Sequence, residues 1–278
     1  MRPIGEQTIL ITGATGGLGR ALVQRAAAEG ATVVAQGRDE ARLRDLALEV
    51  EAATGTSVDT VVADLADLRA VDRLADSIIE TYDALHVLVN NAGVGFGEQG
   101  APRELSADGI ELRFAVNHLA AYRLAGRLSR LLEVSAPARI VQVASAGQLE
   151  IPEDDPLSEH DYDGVTAYRR SKLAQVMATF DLAGDLVGTG VSVTALHPAT
   201  FMDTAMVRDS GVTPTSSVEE GLEATWRLVA DPALEGVSGR YFSGTTDGVP
   251  DPQADDPAAR AWVRALSDRL VAEALTSR

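Results

Sequence analysis

Thr8-Ile9-Leu10-Ile11-Thr12-Gly13-Ala14-Thr15-Gly16-Gly17-Leu18-Gly19 joins an apolar run to a glycine-rich run. The apolar run predicts a strand, and residues 18–29 have the periodicity of a helix. In a strand–turn–helix unit the glycine backbone approaches a pyrophosphate, which rests against the N-terminus of the helix. We therefore predict a dinucleotide site at Gly13, Gly17 and Gly19, although their spacing is G-x-x-x-G-x-G rather than G-x-G-x-x-G.

A second glycine-rich run, Gly95-Phe96-Gly97-Glu98-Gln99-Gly100, matches G-x-G-x-x-G literally. It leads into Ala101-Pro102 and not into a helix, so it lacks the context in which the motif binds a nucleotide. We interpret this run as a loop.

Strand-like and helical segments alternate along the chain. The strand-like runs lie at residues 8–11, 32–35, 57–62, 85–89, 139–144, 191–196 and 240–242, and the longest helical segments at 108–132 and 166–187. This alternation is typical of a parallel sheet with helices on both faces. We predict a single α/β domain over residues 1–278, a Rossmann fold with a doubly wound parallel sheet of about seven strands.

Three long loops interrupt the alternation, at about residues 94–106, 146–165 and 198–216. We call them the first, second and third edge loops. Each follows the carboxyl end of a predicted strand, which is where open α/β sheets bind ligands. We predict that the three edge loops form the substrate side of a site.

The composition excludes several classes of protein. Of 278 residues 45% are hydrophobic, which suits a large core, and there is no cysteine for a disulfide or a thiolate. The formal net charge of −17 repels phosphate backbones, so we expect no nucleic-acid partner. No apolar run reaches the roughly eighteen residues of a membrane span, and the first residues do not resemble a signal peptide. We expect a cytoplasmic protein without a membrane span and, since no His/Asp/Glu cluster has metal-ligand spacing, without a metal.

The end of the second strand indicates which cofactor is bound. An acidic residue there binds the ribose 2′-hydroxyl of NAD, whereas an arginine accommodates the 2′-phosphate of NADP. In this chain Gly37 supplies no carboxylate, Arg38 supplies a charged donor, and Asp39 suits the cap of the next helix. We predict NADP(H) in preference to NAD(H); the alternative is that Arg38 is a solvated loop residue.

Tyr168 and Lys172 are the candidate acid–base pair. They are four residues apart in a helical segment and therefore project from one face, and Ser145 lies upstream at the end of a strand. An ammonium group about 4 Å from a phenol is worth about 4 kcal/mol at an effective dielectric near 20, or about three pKa units. We expect Lys172 to lower the pKa of Tyr168 toward the range of a general acid–base catalyst.

Together these motifs resemble the short-chain dehydrogenase/reductase family over nearly the whole chain. The family's T-G-x-x-x-G-x-G corresponds to Thr12–Gly19, its D-[LV] to Asp64-Leu65, its N-N-A-G to Asn90–Gly93, its helix asparagine to Asn117, its serine to Ser145 and its Y-x-x-x-K to Tyr168–Lys172. The order and number of these matches make the resemblance specific.

The resemblance implies a catalytic group of Asn117, Ser145, Tyr168 and Lys172. Tyr168 would move the proton, Ser145 would donate a hydrogen bond to the carbonyl oxygen, and Lys172 would lower the tyrosine pKa and bind the nicotinamide ribose. Asn117 would position a water in the proton relay. Each role has a structural alternative. Tyr168 would only pack at a boundary and Lys172 would be a solvated partner, Ser145 would only cap the end of a strand, and Asn117 would be a buried, hydrogen-bonded structural residue.

The resemblance also implies the residues that bind the cofactor. They are Gly13, Thr15, Gly16, Gly17, Leu18, Gly19, Arg38, Asp64, Leu65, Asn91, Ala92, Gly93, Tyr168, Lys172, Pro198 and Thr200. The family pattern does not use His118 or His197, which we interpret as packing or loop residues.

The sequence around these motifs resembles the retinol-dehydrogenase-like branch of the family. The similar segments are Asp108–Glu111, Asp161–Gly164, Ala167–Ala174 and Leu196–Pro198, with Thr204 further on. That branch generally uses NADP(H) and acts on lipophilic carbonyls or alcohols. One departure is Ala199, where the family has glycine. Because alanine is strained at positive φ, we expect either a loop without that conformation or a shifted lid.

The resemblance predicts an oxidoreductase that interconverts a carbonyl and an alcohol on a medium-to-large hydrophobic substrate. Phe201, Met202, Met206 and Val207 either line an apolar pocket or cover the edge of the sheet. Two alternatives are a catalytically silent NADP-binding regulatory or scaffold protein, and a non-redox cyclase or epimerase on the same site. By resemblance, the two longest helices pair between subunits in a possible homodimer or homotetramer.

Overall fold

Eight strands form one sheet in the computed structural model, which describes residues 2–276. They are β1 Thr8–Ile11, β2 Thr32–Gly37, β3 Val58–Val62, β4 Val87–Asn90, β5 Ala138–Val143, β6 Val191–His197, β7 Arg240–Ser243 and β8 Thr246–Asp247. Their order is β3-β2-β1-β4-β5-β6-β7-β8, and every neighbouring pair is parallel except β7 and β8. The predicted doubly wound parallel sheet is confirmed, with a short antiparallel strand added at its edge.

Helices cover both faces of the sheet. They are α1 Gly17–Ala28, α2 Glu40–Thr54, α3 Leu68–Thr81, α4 Ala120–Val134, α5 Gly164–Asp185, α6 Ala205–Asp209, α7 Val218–Ala230 and α8 Pro257–Thr276, and a π-helical turn, Phe114–Leu119, leads into α4. As predicted, Asp39 caps α2 by accepting a hydrogen bond from Arg42 N at 3.1 Å. Among the helices described, none combines the length and the apolar character needed to cross a membrane.

The core consists of two layers because successive strand residues point to opposite faces. In β1, Leu10 packs with α3, α4, α5 and α8, whereas Ile9 and Ile11 pack with α1, α2 and α7. All three side chains are fully buried. This double-sided burial explains why the strands are continuous apolar runs. Their carboxyl ends meet at one edge because β1 to β7 run parallel.

The helix predicted over 108–132 begins later than expected. Gly109 has a φ of 77°, and Leu105 forms an antiparallel bridge with Glu111, so the chain turns back on itself before the π-helical turn begins. Asp108 lies in this turn and accepts a hydrogen bond from Leu68 N at 2.9 Å at the start of α3. The apolar pattern continues through the turn, which is why the sequence indicated one long helix.

α8 packs against α4 within the chain. His118 Nε2 lies 2.7 Å from Ser267 Oγ, and Tyr122 donates to Asp268 at 2.6 Å. Burial lowers the pKa of His118 to about 3, so its ring is neutral and packs in the core, as interpreted from the sequence. Because this contact covers part of α4, the pairing of subunits through this helix stays a prediction.

Candidate active site

The glycine turn between β1 and α1 has no room for side chains at two of its glycines. Gly13 has a φ of 67°, and a Cβ there would lie 2.8 Å from Ala92 Cα. A Cβ on Gly19 would overlap the Gly13 carbonyl oxygen and lie 2.6 Å from Asn91 Nδ2. At Gly16, by contrast, a Cβ would meet nothing within 4 Å. The turn is therefore tightly packed against Ala92 and Asn91 on one side, and it is open at Gly16.

Two polar side chains hold this turn. Gln36, buried in β2, accepts a hydrogen bond from Gly13 N at 3.1 Å and donates to Ala63 O at 2.7 Å. Asn91 donates through Nδ2 to Thr12 O at 2.9 Å. Asn91 was predicted to bind the cofactor, and the structure places it as a support of the turn. Gln36 was not predicted, because its role depends on how β2 lies beside the turn.

Arg38 is exposed immediately after β2, and it has no hydrogen-bond or ion-pair partner among residues 2–276. A Cβ on the preceding Gly37 would lie 2.8 Å from Thr15 Cγ2 and 3.2 Å from Leu43 Cδ2. The strand end therefore has no room at Gly37 for the carboxylate of an NAD site. Thr15 therefore packs beside this strand end, which Arg38 follows.

Other predicted cofactor residues follow the same edge of the sheet. Asp64 and Leu65 come just after β3, with Asp64 exposed and Leu65 buried. Asp64 accepts a hydrogen bond from Ala66 N at 3.0 Å, which fixes the bend of the chain. Beyond β4, Ala92 N donates to Thr12 Oγ1 at 3.0 Å and so lies against the glycine turn.

Lys172 is buried and reaches the carboxyl end of β5. Its Nζ donates to Val143 O at 2.8 Å and to Gln175 Oε1 at 3.0 Å, and burial lowers its pKa to about 7. A Cβ on Gly93 would lie 3.7 Å from Nζ, so the glycine leaves space beside the ammonium group. Lys172 is also the only lysine among the 24 Lys and Arg residues of the chain, which is a further signal in the sequence for this position.

The single lysine makes its titration directly measurable. In protein with isotope-labelled lysine, we expect one side-chain NMR signal that titrates with a midpoint near pH 7. An unfolded lysine keeps its proton up to a pKa of 10.5, so the free energy of unfolding should rise with pH above about 7, by at most about 1.4 kcal/mol per pH unit. Lys172→Met should lack this rise. A midpoint near the ordinary lysine pKa would contradict the buried site.

Ser145 and Tyr168 meet at the carboxyl end of β5. Ser145 follows that strand, and Tyr168 lies in the first turns of α5 with its ring half-buried and edge-on to Phe96, 5.8 Å between centroids. Burial raises the pKa of Tyr168, and a side-chain hydrogen bond with Ser145 acts in the opposite direction. The structure thus brings together the serine, the tyrosine and the lysine that the sequence selected.

The expectation that Lys172 lowers the pKa of Tyr168 is wrong in direction, because burial of the phenol raises that pKa. Two features of Lys172 explain the difference. Its ammonium group is hydrogen-bonded to Val143 and Gln175. Its own pKa of about 7 also means that it carries only part of a charge at neutral pH.

Asn117 lies fully buried in the π-helical turn. Its Oδ1 accepts from Val94 N at 2.7 Å, and its Nδ2 donates to Val94 O at 3.1 Å and to Ser171 Oγ at 2.9 Å. The amide therefore joins the first edge loop to α5, which agrees with the structural alternative. Its role in positioning a water stays a prediction, although π-helical turns are frequent at functional sites.

A buried charged cluster joins the first and second edge loops. Arg113 and Glu111 are each 1% exposed and lie 3.3 Å apart. Arg113 also donates to Tyr162 Oη at 2.7 Å and to Glu104 at 3.2 Å, while Tyr162 donates to Glu111 at 3.1 Å. Two segments that resemble the retinol-dehydrogenase-like branch therefore meet here and are held together by the cluster.

Loss of this cluster should destabilise the fold. We expect Arg113→Met to lower the free energy of unfolding by about 3 kcal/mol, because Glu111 is then left buried without its ionic partner. The matched control is Arg130→Met, which breaks a pair with Glu133 whose arginine is 81% exposed and should cost less than about 1 kcal/mol. Urea unfolding measures both values, and equal small losses would contradict the argument.

The second glycine run is a loop, as predicted. Gly97 has a φ of 74°, and a Cβ there would lie 2.9 Å from Arg113 Nη2. A Cβ on Gly95 would lie 2.7 Å from Met206 Cγ. These glycines make room for neighbouring side chains and do not form a phosphate turn.

The third edge loop adapts to Ala199 without the family glycine. Ala199 is not among the described residues with positive φ; Phe201 instead takes a φ of 44°. Pro198 is buried, and the exposed Thr200 lies 3.0 Å from His197 Nε2 through its hydroxyl. The loop therefore does not require the left-handed conformation at Ala199, which is the first of the two outcomes expected there.

The apolar residues of this loop divide into two groups. Met202 packs on the core beside Gly221, so it covers the sheet. Phe201 is 42% and Met206 39% exposed, and Val207 is half-buried. The loop also touches the glycine turn, because a Cβ on Gly17 would lie 2.9 Å from Thr204 Cγ2.

These features fit a nicotinamide dinucleotide. The opening at Gly16 and the N-terminus of α1 suit a pyrophosphate. The space at Gly93 gives access to Lys172, and Arg38 is free to bind a phosphate. Within the described residues, no group of three or more His, Asp or Glu side chains is arranged to hold a metal.

Comparisons with known proteins agree with this geometry. The family described as short chain dehydrogenase matches residues 7–214. Retinol dehydrogenase 14 of Mus musculus is 35% identical over 295 residues, covering 95% of this chain and 86% of that protein. A solved structure of a Mycobacterium paratuberculosis protein has a TM-score of 0.77 at 27% identity, covering 96% of this chain and 93% of that one.

A further structure carries a cofactor. It is described as an NAD(P) dependent gluconate 5-dehydrogenase of Beutenbergia cavernae with bound NADP. Its TM-score is 0.69 at 30% identity, and the match covers 87% of this chain and 97% of that chain.

A parallel sheet whose carboxyl edge carries a glycine turn, a serine, a tyrosine and a buried lysine defines a Rossmann-type oxidoreductase site. With the family match over most of its length, this chain belongs to the short-chain dehydrogenase/reductase family, in its retinol-dehydrogenase-like branch. It is an oxidoreductase of the alcohol/carbonyl pair.

Proposed function

We propose that this protein is an NADP(H)-dependent oxidoreductase that interconverts a ketone or aldehyde and its alcohol on a medium-to-large hydrophobic substrate. The convergence of Ser145, Tyr168 and Lys172 at the carboxyl edge of the sheet carries the proposal. Ala92 and Gly93 connect this group to the glycine turn, because one packs on Gly13 and the other borders the lysine. A cytoplasmic location stays a prediction.

Tyr168 acts as the acid that protonates the carbonyl oxygen during reduction. Because burial raises its pKa, the phenol keeps its proton at neutral pH, as an acid must. Ser145 Oγ accepts a hydrogen bond from Gly147 N at 3.0 Å, and its hydroxyl, which hydrogen-bonds with Tyr168 in this structure, donates to the same carbonyl oxygen when substrate is bound. Two O–H donors then stabilise the developing negative charge. The hydride comes from the nicotinamide of NADPH.

Lys172 returns the proton to Tyr168 after each turnover. A pKa of about 7 lets it take up a proton from water and release it within the neutral range. Alcohol oxidation instead requires the phenol to lose its proton, and the raised pKa of Tyr168 opposes this. We infer that reduction is the direction favoured at neutral pH, and that alkaline pH favours oxidation.

Arg38 supports the choice of NADP(H), because it is free and Gly37 leaves no room for a competing carboxylate. We expect purified protein to bind NADPH at least about tenfold more tightly than NADH, since a charge-assisted hydrogen bond contributes about 1.5–3 kcal/mol. Arg38→Ala should remove this preference and leave NADH affinity unchanged. Arg130→Ala, which removes the same charge from α4, should preserve it. Equal binding of both cofactors by the wild type would contradict the role of Arg38.

The edge loops support a hydrophobic substrate. Leu105 of the first edge loop and Phe201 and Met206 of the third are exposed apolar side chains, with exposed fractions of 52%, 42% and 39%. Val165, at the start of α5 beside the second edge loop, is 44% exposed. Ligand pockets are lined mainly by such groups. We expect kcat/KM for NADPH-dependent reduction to increase with the apolar size of ketones and aldehydes. Exclusive reduction of small charged keto acids would contradict the proposal.

The same assay separates the two alternative functions. A cyclase or epimerase would convert its substrate without net consumption of NADPH. A scaffold protein would bind NADPH and consume none with any carbonyl. Formation of one alcohol for each NADPH oxidised is expected only from the proposed enzyme.

A further inference from the structure

The main-chain carbonyl of Ser145 accepts hydrogen bonds from two side chains that the motifs do not include. Tyr241 in β7 donates its hydroxyl at 3.0 Å, and Gln148 donates through Nε2 at 2.9 Å. Both side chains are buried, with 5% and 7% of their surface exposed. Ser145 is therefore held at once from β7, two strands away from β5 in the sheet, and from its own loop.

The second edge loop behind this carbonyl is itself tied to the segment that follows β8. Gln148 Oε1 accepts from Asp251 N at 2.9 Å. Gln253 accepts from Ile151 N at 2.9 Å and donates to Ile151 O at 3.0 Å. These contacts fix Gln148 at both ends of its amide, so it connects Ser145 to a distant part of the chain.

The direction of the Ser145 hydroxyl depends on this support. Its oxygen already accepts from Gly147 N at 3.0 Å, and Gly147 lies between Ser145 and Gln148 in the chain. If the carbonyl of Ser145 rotates, the peptide that carries Gly147 must move as well. The hydroxyl proton would then no longer point in one defined direction.

We propose that Tyr241 and Gln148 are positioning residues that orient the Ser145 hydroxyl toward the carbonyl oxygen of the substrate. This inference rests on the proposed function. Burial raises the pKa of the Tyr241 phenol to about 12, so it remains a donor throughout the neutral and mildly alkaline range. Because catalytic groups need to be held closely in place, loss of either donor lowers turnover more than substrate binding.

The test removes the Tyr241 hydroxyl and keeps its ring. We expect Tyr241→Phe to lower kcat about three- to tenfold, the value of one hydrogen bond, with KM and NADPH affinity unchanged. Gln148→Met provides a second variant with the same expected result. Tyr82→Phe is the control, because it also loses a tyrosine hydrogen bond, to Asp59 at 2.6 Å, and should keep wild-type turnover.

A double-mutant cycle shows whether Tyr241 acts through Ser145. In a Ser145→Ala background no hydroxyl remains to be oriented, so Tyr241→Phe should change the residual rate by less than about twofold. The pH profile of kcat should keep its midpoints in Tyr241→Phe. An equal loss in both backgrounds, or a shifted midpoint, would mean that Tyr241 acts on Tyr168 and would overturn the proposal.

Amide hydrogen exchange tests the same support without turnover. Tyr241→Phe should speed exchange in a peptide that contains Gly147 and Gln148, whereas Tyr82→Phe should not. If the wild type reduces no carbonyl but this exchange increases, the proposed function fails and the support of Ser145 stands. If the wild type is active and Tyr241→Phe changes neither kcat nor exchange, the positioning role alone is wrong.

Discussion

Tyr168→Phe is expected to lower kcat for carbonyl reduction by about a thousandfold, because general acid–base groups contribute about 10²–10⁴ to rates. The ring keeps its edge-on contact with Phe96, so the fold and the pocket should be preserved. NADPH affinity should stay within about twofold of wild type, since no backbone of the glycine turn changes. Stopped-flow measurement of NADPH oxidation at saturating substrate gives kcat, and fluorescence titration gives the affinity.

The control for this prediction is Tyr122→Phe. This variant loses the hydrogen bond from Tyr122 to Asp268 at the contact of α4 with α8. Its kcat should equal that of the wild type. If Tyr168→Phe retained a tenth or more of the wild-type kcat, Tyr168 would not be the acid and another donor would have to replace it.

Gly19→Ala is expected to weaken NADPH binding by about a hundredfold. The new methyl group would overlap the Gly13 carbonyl oxygen, so the turn must move, and overpacking of this kind costs about 1–3 kcal/mol. Gly126→Ala is the matched control, because a Cβ there, in the middle of α4, meets nothing within 4 Å. It should leave NADPH affinity unchanged. Isothermal titration measures both variants.

Gly16→Ala separates damage to the turn from loss of the cofactor site. Gly16 has an extended φ of −164°, and a Cβ there meets no protein atom within 4 Å, so the free energy of unfolding should not change. If the open side of the turn holds the pyrophosphate, the methyl group should still weaken NADPH binding. Wild-type affinity in both Gly16→Ala and Gly19→Ala would mean that the cofactor binds elsewhere.

The local parts of the fold and site were predictable from the sequence. The strand, turn and helix around Gly13 and Gly19 follow from an apolar run, glycines and helical periodicity that are adjacent in the chain. The pair of Tyr168 and Lys172 follows from four-residue spacing on one helix. In each case the physical signal lies within a single element, so no tertiary contact is needed to read it.

The contacts that depend on tertiary packing were not predictable. Lys172 was expected to act on Tyr168, but its ammonium group donates a hydrogen bond to the carbonyl oxygen of Val143. That residue belongs to a strand almost thirty residues earlier in the chain. Gln36 binds the glycine turn only because β2 lies beside it. The single lysine of the chain is a further signal in the sequence, since it is the lysine of the Y-x-x-x-K motif.

The most direct test of the central claim follows the transfer of the hydride with a deuterium label. Purified wild-type protein is given a hydrophobic ketone and NADPH that carries deuterium at the transferred position of its nicotinamide, and the alcohol is analysed by mass spectrometry. We predict one deuterium on the former carbonyl carbon for each NADPH oxidised, and formation of this labelled alcohol about a thousandfold more slowly with Tyr168→Phe. An alcohol without deuterium, or NADPH bound but never oxidised with any ketone or aldehyde, would contradict the account.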